Sequence, residues 1–522
     1  MTARTRIAAV VLLLVAAGTG PGAAQSPDPA VVRAELQRWV AANQRPVVAE
    51  LAELLRIPNH ARDSVNIRRN AAHLVGMLQR RGFQTDLLEV PGAPPFVYGE
   101  LRTPGATRTL VLYAHYDGQP TDASRWSTAP FEPTLFDAPA TAGGRPMPLA
   151  GSGPTYPAES RIYARSASDD KSPIVAVLAA LDALRAAGRQ PSVNLKVFLD
   201  GEEEDGSDHM AAVLTRYKDK LAADGWLFLD GPVHQSRALQ VVFGVRGVMS
   251  MGLTVYGPNR PLHSGHYGNW AKNPAAQLVQ LLASMRADDG TITIANFHDD
   301  LTPVTAADIA ASRAMPPVDQ QMLGELQLAA PEKAGTLLPE QLLVPAMNIT
   351  GLQVGGVGPQ ASNTIHTQAR AHVDFRLVAG QRPDRVVELV ERHLRTHGWT
   401  IVHGDPDEAT RASSAKLVRV DWGDGYAATR MPLDHPFSRA VSASATAAIG
   451  RQIIEVPTPG GSRPMHHFTE ILGVPVIVLP MVNHDNNQHA ENENLRLQNL
   501  WDGIVLFGGV LSRLGTEWRV VP

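Results

Sequence analysis

The sequence predicts an α/β protein: a layered, mixed-sheet domain interrupted by a smaller inserted α+β unit. Three observations carry this expectation. Between about residues 84 and 240, apolar runs with the two-residue period of strands alternate with stripes of helical period, as in layered α/β sheets. A unit with two clear helices and few strands follows to about residue 408, after which the earlier style returns. At 522 residues the chain is also too long for a single hydrophobic core.

Residues 31–42, 46–55 and 65–81 space their apolar side chains as helices do; Pro46 suits a first turn and Pro58 breaks the pattern. Residues 84–90, 96–102 and 109–114 read as strands, the last apolar enough to lie centrally in its sheet. The stretch 121–161, rich in Pro, Gly and Ala, is expected to be a long loop, which in a compact domain is commonly a functional surface. A helix is predicted over 173–186, a strand over 193–199, a helix over about 207–223 and a short strand over 226–229. The inserted unit shows a strand pair within 242–256, a helix over 275–285, strands near 344–350 and 364–377, and a helix over 383–397. A helix over 436–449, an apolar strand over 474–480 and a last helix over 497–514 complete the chain. The expected domains are therefore 25–240 with 409–522, and 241–408 inserted between them.

Residues 1–24 read separately. Arg4 and Arg6 precede an apolar run at 7–17, and Gly22, Ala23 and Ala24 supply small residues for cleavage, the pattern of a secretory signal peptide. The run is shorter than the ~20 residues that a bilayer span needs. Export to the periplasm or the medium follows as an expectation, with no membrane association after cleavage. Loss of the two arginines leaves 45 basic against 51 acidic residues, a mildly acidic chain without a basic block and so a poor partner for nucleic acid. With no cysteine, neither disulfides nor a thiolate nucleophile or ligand can operate.

Polar clusters punctuate the ends of the apolar strands. Glu202, Glu203 and Glu204 follow the strand at 193–199, and Gly206 and Ser207 turn the chain away. His115 ends the strand at 109–114, with Asp117 two residues on, placed as a metal ligand and its orienting carboxylate would be. Asp169 and Asp170 precede the 173–186 helix, Asp230 ends its short strand, and His489 lies beyond the strand ending at Pro480. Strand ends of an α/β sheet gather on one edge. Imidazole and carboxylate ligands without thiolate suit zinc, with manganese or cobalt as alternatives, and this set is large enough for two ions sharing one carboxylate.

The motifs, in this order, resemble those of the co-catalytic zinc peptidases and deacylases that include carnosinase, the glutamate-releasing carboxypeptidase and acetylornithine deacetylase. His115-Tyr116-Asp117, Ser168-Asp169-Asp170-Lys171, Glu203-Glu204-Asp205-Gly206-Ser207, Leu262-His263-Ser264-Gly265 and His489-Ala490-Glu491-Asn492-Glu493 carry the resemblance over nearly the whole chain after residue 24. It implies that Asp169 bridges two divalent ions, with Glu204 and His489 on one and His115 and Asp230 on the other. Glu203 would be the general base and proton donor to the leaving amine, with Asp117 behind His115, and the Asp169–Asp170 peptide would be cis. His263, from the inserted domain of a partner subunit in a homodimer, would stabilise the oxyanion. Arg376 would grip a substrate carboxylate, with Gly461 and Ser462 beside it. Relatives usually show glycine where this chain has Ala164, Ser166 and Ser172. The length of the insertion and Asp230 as terminal ligand favour the carnosinase-like dipeptidases, and hydrolysis of a dipeptide or a short peptide terminus is the leading expectation. An N-acyl amino acid deacylase with the same site and a non-catalytic binding protein of the same fold are the alternatives.

Overall fold

The computed structural model describes residues 28–149, 153, 155–463 and 465–518; the expected signal peptide lies outside the described residues. The larger domain is built on an eight-stranded sheet in the order Gln84–Leu88, Phe96–Leu101, Asn194–Asp200, Thr109–His115, Gly225–Phe228, Val476–Val478, Gln240–Val242, Ile454–Val456. The central four, from Asn194–Asp200 to Val476–Val478, run parallel, so their C-terminal ends share one edge. Both faces are covered, which is why these strands are mostly apolar, with Lys196 a buried exception inside Asn194–Asp200. Leu110, Leu112 and Ala114 pack under the helices Pro29–Leu55, Lys171–Ala186 and Leu497–Glu517. Val111 and Tyr113 face the opposite layer with Phe198, Trp226, Phe228 and Phe468. Each such side chain contributes about 1.5–3 kcal/mol of transfer free energy.

Several expectations need correction. The first two helices are one, Pro29–Leu55, bent at Asn43 (φ −122°). Pro46 falls in the first turn after that bend, where its missing N–H costs little. The helix expected over 207–223 is two short ones, Met210–Arg216 and Lys218–Leu221. The expected loop 121–161 contains the strands Thr134–Phe136 and Pro146–Met147, which join Arg161–Tyr163 and Asn494–Arg496 in a second, four-stranded sheet. Strands of two or three residues are too short for their period to show in sequence.

The inserted unit holds a five-stranded sheet in the order Ala346–Gln353, Gln368–Leu377, Gly247–Tyr256, Leu417–Trp422, Thr400–Val402. Leu417–Trp422 lies past the expected limit of 408, yet pairs antiparallel with Gly247–Tyr256, so the insertion runs further than predicted. At its start, Gln240–Val242 still belongs to the larger sheet. One face of the inserted sheet packs Met249, Met251, Leu253, Val373 and Phe375 against helices Pro274–Met285 and Pro383–Thr396. The polar stretch between carries helices Ala306–Ala314 and Asp319–Glu325, which the sequence reading missed. Among the described residues no helix is long and apolar enough to cross a membrane.

Candidate metal centre

The C-terminal edge of the central strands collects the polar clusters. His115 is the last residue of its strand, and its Nε2 lies 2.9 Å from Asp169 Oδ1. His489 Nε2 lies 3.2 Å from Asp169 Oδ2 and 3.1 Å from Glu204 Oε2, so Asp169 stands between the two imidazoles. Two groups of ligand atoms lie within 4.8 Å of one another: His115, Asp169 and Glu204, and His115, Asp170 and Asp230. Asp230 thus reaches the cluster beside Asp170, a residue to which the sequence reading gave no role. Asp170 occupies the N-cap position of Lys171–Ala186 without making a capping bond, and its Oδ1 is buried with no hydrogen-bond partner. A buried carboxylate oxygen without a donor is satisfied by a cation. The all-nitrogen-and-oxygen donor set fits divalent zinc-type ions equally well.

Asp117 explains how the glutamates are placed. Fully buried, it accepts from Glu203 N (3.1 Å) on one oxygen and from Glu204 N (3.0 Å) on the other, and its Oδ1 lies 3.3 Å from His115 Nδ1. One carboxylate therefore fixes the turn Glu203–Asp205 and backs the first histidine. Gly118, next in sequence, has no room for a Cβ, which would lie 2.4 Å from Ser166 Oγ. Ser166 itself adopts φ 60°, the left-handed backbone that glycine takes easily, and its hydroxyl accepts from Asn59 Nδ2 (2.9 Å) and donates to Asp117 O (3.3 Å). The two hydrogen bonds hold the Ser166 hydroxyl between Asn59 and Asp117. The Asp169–Asp170 peptide is cis.

Asp169 is held from behind by Glu493. This fully buried carboxylate accepts from Arg165 Nη1 (2.8 Å), Ser166 N (2.9 Å), Ser168 N (2.9 Å), Ser168 Oγ (3.1 Å) and Asp169 N (2.9 Å). The strand pair Asn494–Arg496 and Arg161–Tyr163 brings Glu493 there. His489 lies four residues before it in a turn where Asn487, His489 and Asn492 all take positive φ. The sequence contained this residue at the end of the His489 motif, but only the fold shows where it points.

Crowding of acids sets the electrostatics. Burial raises the pKa of Glu203 to about 8; His115 opposes the shift, and Asp230 and Glu204 reinforce it. Burial likewise raises Asp117 to about 6, against His115. For Asp169 burial is outweighed by His115 and His489, which hold it far below the ordinary carboxylate range. His489 is pushed up to about 10 by its hydrogen bonds to Asp169 and Glu204. A cluster that binds protons on imidazoles this tightly holds enough negative charge to bind metal cations in their place.

The remaining expected residues divide. Gly461 and Ser462 line a cavity of about 360 Å³ together with Asp169, Glu203, Asp230 and His489. Arg376 Nη1 donates to Ser462 Oγ (2.9 Å) and its Nε to Asp374 Oδ2 (3.0 Å), so it stands directly behind that loop. His263 does not join them: it is exposed on the inserted unit, its ring stacked on His266 at 4.4 Å, and it does not line the cavity. Arg463, which follows Ser462 and went unremarked in the sequence, does line it.

A parallel sheet edge gathering imidazoles and carboxylates, with a free glutamate beside them, defines a metal-dependent hydrolase. The chain belongs to peptidase family M20/M25/M40, whose family model matches residues 111–513. It is 25% identical over 439 residues to the Cys-Gly metallodipeptidase of Schizosaccharomyces pombe, covering 81% of this chain and 83% of that one. It is 24% identical over 484 residues to the human Beta-Ala-His dipeptidase, covering 90% and 88% of the two. Among solved structures it resembles human carnosine dipeptidase 1, with a TM-score of 0.67 at 22% identity, covering 94% of this chain and 100% of that one. The M20 family metallo-carboxypeptidase Sso-CP2 from Sulfolobus solfataricus gives a TM-score of 0.68 at 24% identity, covering 90% and 99%.

Proposed function

We propose that this protein is a dimetal dipeptidase in which Glu203 moves the proton. The observation that carries the reading is the shared geometry of Asp169, with His115 at 2.9 Å and His489 at 3.2 Å on its two oxygens and Glu204 at 3.1 Å from His489. His115, Asp169, Glu204, Asp230 and His489 would hold two divalent ions, zinc first, with Asp170 beside Asp230. When bound, such ions supply polarisation of a carbonyl and acidification of water. Glu203, half-buried and coordinating nothing in the proposed set, takes the proton from the attacking water and returns it to the leaving amine, the role of a general acid–base group. Asp117 holds the glutamate turn. Arg376, Gly461 and Ser462 form the end of the site suited to a substrate carboxylate. The named dipeptidases that this chain resembles over most of their length support a dipeptide substrate.

Two further readings belong with this one. The protein is a homodimer assembled through the inserted unit, where the edge strand Ala346–Gln353 exposes Ile349 and Leu352, with Val357 exposed just beyond. His263, which does not line its own chain's cavity, would then act in the partner's. The chain is exported, as the leader pattern in residues 1–24 suggests. Purified, metal-loaded protein assayed on a dipeptide panel beside N-acyl amino acids tests the activity. Dipeptide turnover is expected; turnover of N-acyl substrates alone would replace the reading with a deacylase, and failure to bind any divalent ion would favour a binding protein.

A further inference from the structure

The cavity beside the cluster has two unlike walls. One carries the acids and His489; the other is Val242, Val245, Val478, Pro459 and Pro480. Each carboxylate on the lining is a proposed ligand or Glu203, and all of these are committed. Arg463 brings a guanidinium to this lining, and it neither ligates metal nor carries the proton in the proposed reaction.

Arg463 is fixed in place. Its Nη1 donates to Asp230 O at 2.9 Å and lies 3.1 Å from Asp230 Oδ2. The fork lies over Gly231, where a Cβ would come within 3.2 Å of Nη2, and Gly231 has φ 113°, a backbone closed to most side chains. Nη2 and Nε make no other hydrogen bond among the described residues, and about a fifth of the side chain (22%) remains exposed. An anchored planar fork with spare N–H groups, set beside acids that are all committed elsewhere, is suited to binding a carboxylate. An ammonium or guanidinium in the same space would meet a like charge and find no uncommitted acid. A volume of about 360 Å³ lies at the small end of ligand pockets, room for one side chain rather than a longer peptide.

We propose that Arg463 is a specificity-determining residue that selects substrates bearing an acidic side chain on the residue seated in this cavity, over neutral isosteres and over basic ones. The inference rests on the dipeptidase reading above and adds the substrate class.

The test compares metal-loaded wild type with Arg463→Met and Arg463→Lys on Glu-Ala, Gln-Ala and Lys-Ala, and on the reversed series Ala-Glu, Ala-Gln and Ala-Lys. In one series the wild type is expected to favour Glu over Gln by about 10- to 100-fold in kcat/KM, the range of one charged hydrogen bond. Lysine should be poorest. Arg463→Met should bring that ratio to near 1, and Arg463→Lys should keep part of it. Equal rates on Glu and Gln in both series, or a ratio unchanged in Arg463→Met, would overturn the proposal. Calorimetric binding of free glutamate against free glutamine to the wild type separates this failure from failure of the dipeptidase reading. Were no dipeptide cleaved, tighter binding of glutamate would still support the anion site, and equal binding would remove it.

Discussion

Glu493→Gln perturbs the least visible support of the site. The carboxylate receives five donors, three on Oε1 and two on Oε2. Glutamine keeps the shape but turns one oxygen into a donor. The less costly orientation points the amide nitrogen at Ser166 N and Arg165 Nη1, sparing the three bonds from Ser168 and Asp169. That leaves Arg165, only 3% exposed, without its counter-charge, and one buried backbone N–H unpaired. Breaking a buried pair costs about 3–5 kcal/mol and an orphaned donor about 1–3 kcal/mol. Because the two losses share one site, about 4 kcal/mol is a reasonable total, a fall in Tm on the order of 4–6 °C. Asp169 is held through its backbone N–H by this carboxylate, so metal affinity should also fall by about 10- to 100-fold at temperatures well below the melt. Thermal melts and a competitive metal titration on the same preparation measure both. A lower Tm with unchanged metal affinity would make Glu493 a fold residue only, and no change in either would refute the argument.

Glu203→Gln should keep its metals and lose about 10²- to 10⁴-fold in kcat, the worth of a general acid–base group; full turnover would remove Glu203 from the proton path. Asp117→Asn faces one of the Glu203 and Glu204 amides with a donor, and should weaken metal binding by about 10- to 100-fold in an equilibrium titration. His393, buried in the inserted unit with Nε2 2.9 Å from Ser284 Oγ, has its pKa lowered to about 4 by burial and by His397. The unfolded chain takes up that proton near pH 6.5 and the native one not until about 4, so stability is lost as pH falls across this window, by at most about 3 kcal/mol. His393→Gln should flatten the dependence of chemical unfolding on pH between 6.5 and 4; an unchanged slope would assign that loss to other groups.

Much of the larger domain was legible because its signals are long. The strand Thr109–His115 and the helices Lys171–Ala186 and Leu497–Glu517 are runs over which period and apolarity leave little choice. The same strands delivered His115, Glu204 and Asp230 to the edge where they meet. Legibility failed where structure depends on partners distant in sequence. No strand is expected from the sequence at Leu417–Trp422, and only its pairing with Gly247–Tyr256 places it in the inserted sheet. Asp170 gets no role from its place before a helix, and in the fold it sits at the N-cap without a capping bond. Glu493 sits inside a motif already noticed and Arg463 next to one, but their roles come from Asp230, 233 positions away from Arg463, and from Ser168 and Asp169, some 325 positions from Glu493.

The ratio of bound divalent metal to protein, measured by elemental analysis after dialysis of the full-length protein, bears most directly on the cluster around Asp169. Two ions per chain, falling on substitution of Asp169 by alanine, is the expected result. A wild-type chain that carries no ion after dialysis against zinc, manganese or cobalt would contradict it.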